Sequence, residues 1–116
     1  MVDFVLVGGL LTVLFVAVVQ LTLVLHVRNT LTDAAAAGAR YAAVAGREPA
    51  DGVARTRELV AADLSPAYAR DVAAGLVTVG GVEVVEVVVT APTPVIGLVG
   101  PGGTLVVRGH AMVEGP

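Results

Sequence analysis

The chain has 116 residues, enough for one small domain, and 56% of them are hydrophobic although only 3% are aromatic. Its net charge of −3 gives no reason to expect a nucleic-acid partner. Cysteine is absent, which excludes disulfides and thiolate metal sites. Soluble domains are usually about 45–50% apolar, so the excess here indicates a membrane segment and leaves little for a globular core.

The first predicted element is the uncharged run from Phe4 to Leu25, called the apolar segment. A helix of this length extends about 33 Å, close to the hydrocarbon thickness of a bilayer. One alternative is a buried core helix, which so short a chain could hardly cover on all sides. Another is a cleaved signal peptide, whose apolar region would run only about 7–15 residues. We therefore predict a stub over residues 1–3 and a transmembrane helix over 4–25.

The helical pattern continues beyond the apolar segment. The chain from His26 to Ala45 has no proline and is rich in alanine, the strongest helix former. It carries a thin apolar stripe at helical spacing, formed by Val27, Leu31, Ala35, Gly38, Ala42 and Ala45. We predict one helix from about residue 3 to 45, with residues 26–46 outside the membrane and a left-handed cap at Gly46.

Residues 47–116 form the predicted small domain. A second helix is expected over about 51–64, capped by Asp51 and packed through Val53, Leu59, Val60 and Leu64. Valine-rich strands follow at 76–79 and 82–90, joined by a hairpin turn at Gly80-Gly81, and a proline-containing loop occupies 91–103.

The last strand, 104–114, alternates most clearly. One face holds Leu105, Val107, Gly109, Ala111 and Val113, and the other holds Arg108, His110 and Glu114, with Thr104 and Met112. The expected fold is α+β: a long helix, a short helix and about three antiparallel strands.

No residue pattern points to catalysis. His26 and His110 are the two histidines, and both are interpreted as surface polar residues rather than metal ligands. Glu83 and Glu86 are three apart on a strand, so they point to opposite faces and are interpreted as solvated charges of an edge strand. We predict no enzyme activity, no cofactor, no metal and no small-molecule substrate.

Two features near the N-terminus concern assembly. Asp3 complements the positive end of the helix dipole, or it pairs with the N-terminal amine of a neighbouring chain. Gly8 and Thr12 have the spacing of two small residues that allows close helix approach, although such spacings are common by chance.

The N-terminal run, residues 1–46, resembles the first half of TadE-like proteins, the minor pilins or pseudopilins of the tight-adherence (Flp-type) pilus machinery. Matching features are the acid-Phe pair Asp3-Phe4, the long apolar stretch, and then Arg28, Asn29, Ala35, Gly38, Ala39, Arg40 and Tyr41. The acid is Asp3 where the family more often has glutamate. The resemblance implies a pilin-like fold and an assembly role for Asp3 and Phe4, whereas an assembly role for Gly8 and Thr12 rests on their spacing alone. The implied partners are membrane lipid, other pilin-like subunits and pilus-machine proteins.

The orientation indicated by charge conflicts with that resemblance. Arg28 follows the span and no basic side chain precedes it, which would place the C-terminal part in the cytoplasm. The resemblance implies the opposite, a single-pass protein of the cell membrane with its C-terminal domain outside the cytoplasm, and we follow it. The alternative function is a stand-alone membrane-anchored binding domain of the cell envelope.

Overall fold

The computed structural model describes residues 1–44, 47–92 and 104–113. Helix α1 spans Val2–Ala42 and helix α2 spans Pro49–Asp63. A 3₁₀ turn at Pro66–Ala69 leads into strands β1 (Asp71–Val79), β2 (Val82–Pro92) and β3 (Thr104–Met112). The predicted α+β fold, with a long apolar helix, a second helix and three antiparallel strands, is confirmed.

Helix α1 has two halves with different surroundings. No residue from Val2 to Leu25 is buried, whereas the second half buries a stripe formed by Val27, Leu31, Ala34, Ala35, Gly38, Ala39 and Ala42. The predicted stripe is therefore confirmed up to Ala42, and it is wider than expected. The helix ends at Ala42 rather than at about residue 45, and its C-cap Ala43 has right-handed φ and ψ of −76° and −11°, so the predicted left-handed cap does not end it. Ala45 and Gly46 themselves lie outside the described residues.

Helix α2 packs antiparallel on α1 through a contact between small residues. A Cβ on Gly38 would collide with the Thr56 hydroxyl and would lie 2.8 Å from the Gly52 carbonyl oxygen. A Cβ on Gly52 would lie 2.8 Å from the Ala42 Cβ. Thr56 is fully buried and its hydroxyl is 3.5 Å from the Ala34 carbonyl oxygen. The two helix backbones thus approach each other because neither glycine has a side chain.

The start of α2 differs from the predicted one. The helix begins at Pro49 rather than at 51, because proline has no N–H to leave unpaired and its fixed φ suits the first helical position. Asp51 is therefore the third helical residue and not the N-cap. Its carboxylate still accepts a hydrogen bond from the Glu48 N–H at 2.8 Å, which satisfies a donor before the helix. Val60 is buried, and Val53, Leu59 and Leu64 pack against the core as predicted.

The sheet has the order β1-β2-β3, so β2 is its central strand. The prediction of an edge strand around Glu83 and Glu86 is wrong, because β3 pairs with β2 on the side opposite β1. The hairpin at Gly80-Gly81 is as predicted, and both glycines have positive φ, +58° and +83°. Two successive positive φ values match the turn type whose twist fits paired strands.

The two faces of the sheet have different environments. The inner face packs on the helices through Val72, Val85, Val87, Val89, Ala91 and Val107. Gly109 lies on this face, where a Cβ would meet the backbone of Ala35 and Ala36 and stand 2.6 Å from the Ala35 carbonyl oxygen. The opposite face is called the outer face. Alternation and register place on it Asp71, Ala73, Gly75, Val77, Val79, Val82, Val84, Glu86, Val88, Thr90, Thr104, Val106, Arg108, His110 and Met112.

Candidate assembly site

The residues predicted to act in assembly all lie on the exposed half of α1. Asp3 is in the first helical turn, and Phe4 has 82% of its surface exposed. Phe4, Gly8 and Thr12 follow one another at four-residue spacing and form a strip along one helix face, while Asp3 is about 100° around the helix from Phe4. No atom lies within 4 Å of the position that a Cβ on Gly8 or Gly9 would take. The strip is therefore open to a neighbouring helix.

The threonines of the apolar segment bond to their own helix. The Thr12 hydroxyl donates to the Gly8 carbonyl oxygen at 2.8 Å, and the Thr22 hydroxyl donates to the Val18 carbonyl oxygen at 2.9 Å. Polar groups in hydrocarbon must be satisfied internally, and these bonds achieve that for both hydroxyls. The Phe4–Gly8–Thr12 strip therefore offers a small-residue surface for close packing rather than a free hydroxyl donor.

Helix α1 is long and apolar enough to cross a membrane, and none of its most apolar 18-residue window is buried within the described chain. A core helix of a soluble protein would be mostly covered by its own chain. His26 and Arg28 are both exposed just after the apolar segment. The helix is consistent with single-pass membrane anchoring.

A charged cluster at the centre of the outer face was not predicted from the sequence. Glu86 on β2 lies directly opposite His110 on β3, and its Oε2 is 2.8 Å from His110 Nε2. The Arg108 Nε is 4.0 Å from the same oxygen. Sequence alternation correctly placed Arg108 and His110 on one face, but only the strand register brings Glu86 to them. Because all three side chains are partly exposed, the Arg108–Glu86 ion pair and the Glu86–His110 hydrogen bond contribute little to stability.

These contacts give no reacting centre. Within residues 1–44, 47–92 and 104–113, no group of three histidine or acidic side chains could hold a metal ion. The cluster has neither a nucleophile nor a buried acid.

An apolar helix that the described residues leave uncovered, and that runs into a small α+β domain, is consistent with a single-pass membrane anchor. The part of the chain after Leu25 is called the head. Residues 1–40 match the family model described as TadE-like protein, which confirms the resemblance over this part of the chain. The match covers the apolar segment and Gly38-Ala39-Arg40, and the sheet lies beyond it. No curated protein and no solved structure gives a significant match. The family match and the apolar helix fit a membrane-anchored component associated with the tight-adherence pilus.

Proposed function

We propose that this protein is a minor pilin-like or pseudopilin-like subunit of a bacterial tight-adherence pilus or secretion machine. The observation that carries the proposal is the apolar segment, which the described part of the chain leaves uncovered. This segment continues without a break into the helix that forms the core. In this proposal the apolar segment holds the subunit in the membrane and packs against other pilin helices, and the head lies outside the cytoplasm. The function is assembly, and no bond is made or broken.

The Phe4–Gly8–Thr12 strip is the proposed helix-packing surface. Association between helices in lipid depends on close van der Waals packing, because the lipid tails are as apolar as the side chains. Gly8 allows a partner backbone to approach closely. Leucine at this position would keep the segment apolar while filling the strip. We expect Gly8→Leu to reduce crosslinking to other pilin subunits, and Val13→Leu, about 140° around the helix from Gly8, to leave it unchanged.

Asp3 is the residue that best separates assembly from simple anchoring. If its charge acts only on the helix dipole, Asp3→Asn costs about 0.3–1 kcal/mol. If it pairs with a neighbouring chain's N-terminal amine away from water, removing it costs about 3–5 kcal/mol, more than a hundredfold in assembly. We propose the second role.

The test of this role compares Asp3→Asn with Asp33→Asn, an exposed acid on the second half of the same helix. Both variants should remain in the membrane fraction at normal levels, because neither changes the apolar segment. Asp3→Asn should lose pilus-machine function and subunit crosslinking, and Asp33→Asn should retain both. If both variants function normally, the dipole role stands and the stand-alone binding domain becomes the better proposal.

The orientation has its own test. A reporter fused after Pro116 that is active only outside the cytoplasm would support the proposed topology. Activity confined to the cytoplasm would reverse it and favour the orientation that Arg28 indicates.

A further inference from the structure

The central strand has the composition of a strand that is covered on both faces. An antiparallel sheet with one face in water usually alternates apolar and polar side chains. In β2 the inward residues Val85, Val87 and Val89 are apolar as expected, but the outer face is apolar too at Val82, Val84 and Val88, with Glu86 and Thr90 as its polar positions. A nearly continuous apolar run of this kind is typical of a strand with a layer on each side.

The described part of the chain supplies only one of those two layers. Both helices pack on the inner face, and no other helix or strand is described that covers the outer one. Large apolar side chains of the outer face therefore stay exposed: Val79 at 60%, Val82 at 44%, Val106 at 43% and Met112 at 70%. A depression on this face is lined by its own Val79, Val84, His110 and Met112 and by the neighbouring Ala111.

The charges of the outer face make it complementary to itself. Glu86 lies on the central strand with Arg108 and His110 beside it on β3, and a second acid, Asp71, lies on the same face at the start of β1. In a two-fold arrangement the same patch meets its own copy, so the acid of each copy can face the bases of the other. A face of one charge sign would instead repel its copy.

We propose that the outer face is a self-association surface, on which two copies of this protein pack sheet against sheet. Packed sheets lie about 10 Å apart, and a helix layer behind each sheet adds about 8–10 Å on either side. The apolar segments of the two copies would then lie roughly 25–30 Å apart. They would be parallel to each other if the two-fold axis runs along them. This contact would leave the Phe4–Gly8–Thr12 strips exposed. The two sheets can therefore pair whether or not the proposed helix packing occurs.

The area of the outer face limits how much surface the contact can bury. Three strands spaced about 4.8 Å apart and about 30 Å long present roughly 430 Å² in projection. A standard interface buries about 800 Å² per partner, so this contact is weak for molecules free in solution. Chains confined to one membrane meet at a higher effective concentration, and the pairing is expected there.

The absence of cysteine allows a direct test with the full chain in membranes. Val88→Cys places one thiol on the outer face, and Ala62→Cys places one on the exposed side of α2. A bismaleimide with a reach of about 10 Å, matched to the sheet spacing, should crosslink the first variant into dimers and leave the second monomeric. Two differently tagged copies, co-expressed, identify the dimer as a pair of this chain.

A charge exchange separates contacts between copies from contacts within one copy. In the Val88→Cys background, Glu86→Arg leaves the cluster at positions 86, 108 and 110 with basic side chains only. Arg108→Glu instead gives this cluster two carboxylates and one histidine. Either variant alone should crosslink at least fivefold less than the parent, and co-expression of the two should restore the crosslink between the differently tagged copies. Limited proteolysis of each variant confirms that the head is folded.

Three outcomes would overturn the proposal. The first is equal crosslinking of Val88→Cys and Ala62→Cys, which indicates random collision. The second is a Val88→Cys thiol that resists labelling but never crosslinks to its copy, which indicates that a different protein or another part of the same chain covers the face. The third is no recovery when the two charge variants are mixed although both are folded.

Discussion

The contact between β3 and α1 at Gly109 gives a sharp test of the packing. In Gly109→Ala the new Cβ would stand 2.6 Å from the Ala35 carbonyl oxygen and would also collide with the neighbouring backbone atoms. Backbone cannot rotate aside as a flexible side chain can, so β3 and α1 must move apart. Overpacking costs about 1–3 kcal/mol, and contact with backbone favours the upper part of that range.

The matched control is Gly75→Ala on β1, where nothing lies within 4 Å of the new Cβ. Both substitutions reduce the conformational freedom of the unfolded chain by the same amount, a gain of about 0.4–1 kcal/mol where the native backbone tolerates alanine. That gain cancels in the comparison. The free energies of unfolding of the two variants should therefore differ by about 2–3 kcal/mol, with Gly75→Ala equal to or more stable than the parent.

Urea unfolding of the full chain in detergent micelles, followed by far-UV circular dichroism, measures this difference. With a slope of about 1 kcal/mol/M, the two midpoints should lie about 2–3 M apart. Hydrogen exchange would then place the loss of protection in β3 and in residues 31–39 of α1. Equal midpoints for the two alanine variants would refute the close approach at Gly109 and the position of β3 on the helix.

Two further predictions concern the anchor and the hairpin. Val13→Arg should raise the cost of insertion by about 2.5–3.5 kcal/mol, so carbonate should extract much of this variant while it leaves the parent in the membrane. At the hairpin, Gly81→Val should destabilise the head by about 1–2 kcal/mol because valine is strained at positive φ, whereas Gly80→Asn should be nearly neutral because asparagine tolerates that conformation. Urea midpoints of the two hairpin variants check this, and equal midpoints would contradict the turn type.

Periodicity alone predicted the helices and strands that bury a single face. The stripe from Val27 to Ala42 and the alternation of β3 follow from burial on a single side, so spacing reveals them. Gly80-Gly81 marked its hairpin because few other residues accept two positive φ values. The resemblance to TadE-like proteins likewise lies in the N-terminal segment, where the apolar run is a strong local pattern. The family model matches this segment, residues 1–40.

Features that depend on distant parts of the chain were not predictable. Strand β1 begins at Asp71, five residues earlier than predicted, because pairing with β2 outweighs the preference of Ala73 and Ala74 for helix. The central place of β2 and the Glu86–His110 pair depend on the register of β3, which no local pattern encodes. The close approaches at Gly38 and Gly109 were equally hidden, since a glycine in a sequence does not show which backbone it faces.

The continuity of α1 has a mechanical consequence. The helix that begins in the apolar segment is the same rod on which the sheet and α2 are built, with no proline from Val2 to Ala42. The head therefore cannot turn independently of the anchor. Leu25 and Ala42 are about 26 Å apart along the axis, so a 10° tilt of the anchor displaces the far end of the rod by about 4–5 Å. Any neighbour that changes the tilt or rotation of the apolar segment also redirects the outer face of the sheet.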